Sequence, residues 1–288
     1  MKKNKPIFCK KLMMLKELIR KIPDTPILIT VPHAGDFYPN LFIKNLKVNL
    51  CEVRQIEDYQ SNKILDKVDE HMADIIIAKC SRAVVDLNRS RTAIDHSMFN
   101  KVFEHEPVSE KQMIKYGLGV FPNKIFGKTI LKTPLPVSYG IHMLENYYDP
   151  FHQSLYKRIK YLSKVFGFCY HIDLHTMPSK ALLNFKKEPD IVLGDNFAKS
   201  CSLGLTNYFQ NVFKEYGFTV EVNNPYAGGF ITRNYGNPYQ GVHTIQIEVN
   251  RKIYMDENKL SLKDLKTLQE IFAKIFNNLE LSEKIAAE

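Results

Sequence analysis

Four short segments of this chain carry side chains suited to polar catalysis: "VPHAGDFYP" around His33, "AVVDLNRS" around Asn88, "YHIDLHT" around His175 and "HTIQIEVNR" around Glu248. Residues two apart on a strand share a face. The third segment therefore groups His171, Asp173 and His175 against Ile172 and Leu174, and the fourth groups Gln246, Glu248 and Asn250 against Ile245, Ile247 and Val249. The second, if extended, sets Asp86 and Asn88 opposite Val85 and Leu87. A sheet with one face in water gives the same alternation. Such a face favours Thr, Ser, Lys and Arg, whereas these segments offer His, Asp, Glu, Asn and Gln near the strand ends, where open α/β sheets bind ligands.

Neutral imidazole and carboxylate are the usual protein ligands of a catalytic zinc, which takes three protein groups and keeps a fourth position for water. His33 and His175 are natural imidazole ligands, with the carboxylate supplied by Asp36 or by Asp58 in "IEDYQSNKIL". A lone histidine at a strand end is more often a hydrogen-bonded structural residue. Two of them on separate strand ends, with acids nearby, point to a metal.

Short apolar runs must position these groups. Strands are predicted over 26–32, 74–79, 83–88, 169–175, 190–195, 218–223 and 243–250, and helices over 9–21, 57–71, 146–166, 196–215 and 260–280. The alternation predicts an α/β fold with helices on both faces of the sheet. Residues 97–145, rich in Gly, Pro and aromatics without a clear period, read as an irregular insertion in one domain, and segments of that length often form lids or substrate walls.

The 288 residues are 44% hydrophobic, enough for a packed core. No run reaches the length of a membrane span and the lysine-broken N-terminus does not resemble a signal peptide, so a cytoplasmic protein is expected. Cys9, Cys51, Cys80, Cys169 and Cys201 are odd in number and lack a CxxC pair, which favours buried free thiols over disulfides or thiolate zinc. Many of the lysines behind the net charge of +9 lie in the first 22 residues, so anionic small substrates are a better expectation than nucleic acid. Nothing in the sequence speaks to oligomeric state.

Taken in order, "VPHAGDFYP", "VVDLNRS", "HIDLHTMPS", "NNPYAGGFITRNYG" and "HTIQIEVNRKIYMDE" resemble the N-formylglutamate amidohydrolase family over residues 26 to 275. That family is similar in turn to the zinc carboxypeptidase and aspartoacylase group. The resemblance implies a carboxypeptidase-like fold built on a mixed, mostly parallel twisted sheet, one zinc per chain, and hydrolysis of the amide of a small N-acyl amino acid, with N-formyl-L-glutamate the best single guess. It implies a His-x-x-acid motif, met here by His33 and Asp36 with Asp in place of Glu; Asp58 matches an acid that formylglutamate hydrolases also carry. The spacing favours Asp36. By the same resemblance Asn88 and Arg89 bind a substrate carboxylate, Arg233 offers a second guanidinium, Glu248 is the general base, Asp173 orients His175, and His152 matches a family position. Another acyl or peptide-like substrate is the alternative within hydrolases, and a non-catalytic basic binding protein of the same fold is the alternative outside them.

Overall fold

The computed structural model describes residues 14–103, 110–125, 127–183, 186 and 188–279. Among the described residues eleven strands run in chain order: β1 (Leu15–Leu18), β2 (Ile27–Val31), β3 (Asp74–Ala78), β4 (Lys124–Ile125), β5 (Lys128–Thr129), β6 (Cys169–Met177), β7 (Ile191–Gly194), β8 (Val220–Val222), β9 (Val242–Asn250), β10 (Met255–Asp256) and β11 (Ser261–Leu262). Seven of them form one sheet in the order β1-β3-β2-β6-β9-β7-β8. The centre, β3-β2-β6-β9, is parallel, while β1 runs antiparallel to β3 and β7 antiparallel to β9. Strands covered on both faces read as continuous apolar runs, and ILITV and DIIIA are buried at every residue.

Alternate strand residues feed two cores. Leu28, Ile76 and Cys169 meet Phe151, Leu155, Ile159 and Leu162 of the helix Asp149–Phe166 on one face. Ile29, Ile172, Ile245 and Ile247 meet the helices Leu203–Glu215 and Lys266–Asn278 on the other. The expected α/β architecture, with helices on both faces of a mixed, mostly parallel sheet, is what the chain adopts. Parallel β2, β6 and β9 end on the same edge, where His33 follows Val31 and where His175 and Glu248 lie near the strand ends.

Four expected elements differ. The helix over 9–21 is replaced by strand β1, because the open edge of β3 takes Leu15–Leu18 as an antiparallel partner and long-range pairing outweighs helical patterning; residues 9–13, with Cys9, lie outside the described residues. The helix over 57–71 shrinks to the 3-10 turn Ser61–Leu65, since Gln60 adopts a left-handed φ of 48° and Asp58 N donates to His33 O at 3.2 Å. The strand over 83–88 is a turn, opened by Val84 N donating to Ser81 O. The first residues expected in the helix over 196–215 also leave it: Asn196, Phe197 and Ala198 all have positive φ, and the helix starts after Ser202, whose hydroxyl accepts from Leu205 N. Cys80, Cys169 and Cys201 are buried free thiols, but Cys51 is exposed. Among the described residues no helix is long and apolar enough to cross a membrane.

Within 97–145 lie the short helices Lys111–Lys115 and Val137–Met143 and the β4-β5 hairpin. Phe99, Phe103 and Phe121 contribute to the first core, so much of this segment is packed rather than loose.

Candidate metal centre and active site

His33, Asp58 and His175 converge at the strand ends, with one ligand atom from each lying within 4.8 Å of the others, and all three residues are buried. His175 Nδ1 is 3.3 Å and His33 Nδ1 3.8 Å from Asp58 Oδ2. The opposite ring nitrogens are held by two further carboxylates: His33 Nε2 by Asp86 Oδ1 at 2.8 Å and His175 Nε2 by Asp173 Oδ2 at 2.9 Å. Carboxylates behind imidazoles in this way fix ring orientation and raise ligand basicity. His33 Nδ1, in contrast, is buried without any hydrogen-bond partner. A buried polar atom of that kind calls for an explanation, and an imidazole lone pair pointing at a carboxylate and a second imidazole suits a cation.

Asp36 is exposed and outside this group. Asp58 enters it because its backbone is tied to His33 O and its carboxylate is gripped by Thr176 N at 3.0 Å and Arg251 Nη2 at 3.1 Å. Burial alone would raise the Asp58 pKa, but the hydrogen bond from His175 and the charges of Arg251 and Arg82 outweigh it and hold the group below the usual carboxylate range. His33 is lowered to about 4, chiefly by burial, and so is a neutral imidazole at pH 7. Asp58, Asp86, Asp173 and Glu248 stand around Arg82 and Arg251, and the charge of Asp173, with hydrogen bonds to Asp173 and Asp58, outweighs burial and holds His175 well above the usual imidazole range.

Glu248 faces His175 directly across the β6-β9 pair. Its Oε1 accepts from Gln246 Nε2 at 2.8 Å, and burial pushes its pKa up to about 7 despite the opposing charge of His175. A carboxylate titrating near neutrality beside a metal position is suited to carrying a proton.

Asn88 reaches the same place from the 83–88 turn. Its Nδ2 lies 3.2 Å from His175 Nε2, and its Oδ1 accepts from Ile231 N at 2.8 Å. Gly229 packs against this side chain so closely that a Cβ there would stand 2.2 Å from Asn88 Nδ2. The Arg89 guanidinium is braced by Leu118 O and Asn88 O, both at 2.9 Å. Arg233 donates to Gly228 O and to Glu110 Oε1, both at 2.9 Å, and is half exposed. His152 supports the turn from behind, with Nε2 3.0 Å from Leu87 O and Nδ1 2.8 Å from the Tyr235 hydroxyl.

The model of the N-formylglutamate amidohydrolase family matches residues 25–255. The chain belongs to that family. Its relatives include the N-formylglutamate deformylases of Pseudomonas aeruginosa, 28% identical over 238 residues, and of Pseudomonas putida, 28% identical over 242 residues; each match covers 81% of this chain and 83% of the relative. The crystal structure of N-formylglutamate amidohydrolase from Ralstonia eutropha JMP134 superposes with a TM-score of 0.85 at 25% identity, covering 95% of this chain and 97% of that one. A protein of Agrobacterium tumefaciens shares the fold at a TM-score of 0.62 and 17% identity, with 94% and 97% covered. As a member of the N-formylglutamate amidohydrolase family, the protein is a hydrolase acting on an amide C–N bond.

Four residues in the centre of this amidohydrolase family member have no role assigned from its sequence. Asp86, noted only for its place on a face, holds His33. Arg82 donates to Asp86 Oδ2 at 2.8 Å, lies 3.7 Å from Asp58 Oδ1, and keeps 22% of its side chain exposed. Arg251 anchors Asp58, and Gln246 joins Glu248 to Gly229 N. The spacing of Arg82 and Asp86 is the one local signal among them, visible only once the segment is known to be a turn.

Proposed function

We propose that the protein is a zinc-dependent amidohydrolase of the carboxypeptidase-like kind, cleaving N-formyl-L-glutamate to formate and L-glutamate. The observation that carries this is the buried group of His33, Asp58 and His175 facing Glu248, in a chain whose relatives include N-formylglutamate deformylases. His33, Asp58 and His175 would hold the ion. When bound, zinc supplies a Lewis acid for the amide carbonyl and acidifies water. Glu248 takes the proton of the attacking water and delivers it to the departing nitrogen, so that the amine rather than its anion leaves. Arg82, partly open beside Asp58, is placed to hold negative charge on the carbonyl oxygen. Asn88 and Arg89 orient the substrate carboxylate, with Arg233 at a second position whose charge Glu110 partly offsets.

Purified protein should carry about one zinc per chain, and metal-loaded protein should release formate from N-formylglutamate faster than from neutral N-formyl amino amides. Zinc-loaded protein that is inert on N-formylglutamate while cleaving another N-acyl amino acid would overturn the substrate but keep the reaction class.

Arg89→Lys keeps the charge and loses the planar fork, along with the two carbonyl contacts that aim it. The expected result is a fall in kcat/KM for N-formylglutamate of about 10-fold or more, with little change for a neutral analogue. Equal losses on both substrates would show that Arg89 only braces the turn.

A further inference from the structure

Behind His175, on the side away from Asp58, Thr30, His171 and Thr244 are fully buried polar residues with no part in the proposed reaction. Strand register lines them up: Thr30 stands opposite Asp173 on β2 and β6, and His171 opposite Thr244 on β6 and β9. Thr30 Oγ1 donates to Asp173 Oδ1 at 2.8 Å and lies 2.9 Å from His171 Nε2, while His171 Nδ1 lies 3.3 Å from Thr244 Oγ1.

A hydroxyl has one proton to give. Thr30 gives it to Asp173, so its contact with His171 can form only if His171 Nε2–H donates to Thr30. With a single proton on that ring, His171 Nδ1 is the acceptor for the Thr244 hydroxyl. At the other end Asp173 Oδ2 accepts from His175 Nε2, which leaves His175 Nδ1 as the nitrogen facing Asp58. Every hydrogen bond in the row thus points one way, from Thr244 through His171 and Thr30 to Asp173.

The two imidazoles of the metal centre are supported differently. Asp86, behind His33, is held by the Arg82 guanidinium and by Asn88 N at 2.9 Å. Among the described residues, the hydrogen-bond donors to the Asp173 carboxylate are Thr30 and His175. Without the Thr30 hydroxyl, Oδ1 of a fully buried carboxylate has no donor, and the carboxylate is free to turn away from His175.

We propose that Thr30 is a positioning residue for the metal centre, acting through Asp173 to fix the tautomer and orientation of His175, with His171 and Thr244 setting the direction of the Thr30 hydroxyl. This rests on the metal-binding reading of His33, Asp58 and His175, and predicts that a side chain contacting neither metal nor substrate tunes metal affinity.

The test uses the full-length protein, stripped of metal and titrated with zinc against a chromogenic chelator. Thr30→Val should raise the zinc Kd by about 10- to 100-fold, and Thr30→Ser, which restores the hydroxyl, should return it to within about threefold of wild type. A purely structural role would lower Tm in Thr30→Val with the Kd unchanged, or leave serine as poor as valine, and either result overturns the proposal. A second readout, nitrogen NMR of histidine-labelled, metal-free protein, holds whether or not the wild type takes up zinc. The His175 Nε2–H, which donates to Asp173, should change its nitrogen shift in Thr30→Val; an unchanged His175 Nε2 shift counts against the relay. Should Thr30→Val fail to fold, Thr244→Val removes the donor at the far end. It should then shift the ring nitrogens of His171, and unaltered shifts of both His171 and His175 would overturn the relay.

Discussion

Replacing Asp58 with asparagine should abolish stoichiometric zinc binding, whereas Asp36→Ala should leave it intact. Asparagine preserves the shape and the contact with Thr176 N while removing the charge that faces His33 and His175. Losing one of three protein ligands removes most of the chelation of a catalytic site. The histidines give the companion result: His33→Ala and His175→Ala should each also lose the metal. Metal content of folded protein, measured by elemental analysis beside a circular-dichroism spectrum, decides the matter. Zinc retained in Asp58→Asn and lost in Asp36→Ala would transfer the carboxylate role to the exposed residue.

Turnover, in contrast, should collapse without loss of metal when Glu248 becomes glutamine. The amide is nearly isosteric, and its oxygen can still accept from Gln246, so fold and zinc content should persist. It cannot take a proton, and the expected fall in kcat is about 10²- to 10⁴-fold, the usual worth of a positioned acid-base group. The pH profile supplies an independent sign. The base works as a carboxylate, so kcat/KM should decline as pH falls through the Glu248 pKa, which burial places at about 7 and which a bound cation draws lower. In Glu248→Gln that acid limb should vanish. Near-normal turnover, or an acid limb surviving at the same pH, would assign the proton to another group.

How far the sequence reveals these positions follows from what strand geometry requires. The face shared by Asp173 and His175, and that shared by Gln246 and Glu248, follow from a period of two and need no knowledge of neighbours. Their meeting across β6 and β9 does require it, since 73 residues separate His175 from Glu248, by subtraction of their numbers in the paired register. The choice between Asp36 and Asp58 is hidden for a related reason. Asp36 has the right spacing from His33 along the chain, but the close approach of Asp58 depends on the left-handed Gln60 and on a backbone bond back to His33. Asp86 and Asn88 are read from an alternation that is real in sequence but arises in a turn, where period says nothing about direction. The N-terminal segment misleads most: its leucines repeat as they would in a helix, and only the unpaired edge of β3 selects a strand.

The pairing of β6 with β9 runs unbroken from Cys169 opposite Val242 to Met177 opposite Asn250. Parallel neighbours of this kind stand about 4.8 Å apart whatever their side chains. The gap between His175 and Glu248 is therefore set by main-chain hydrogen bonds rather than by side-chain packing. Ile172, Leu174, Ile245 and Ile247, on the opposite face, can be exchanged for other apolar residues over evolutionary time without altering that distance. A ruler made of backbone fixes the spacing of His175 and Glu248 independently of the side chains packed around them.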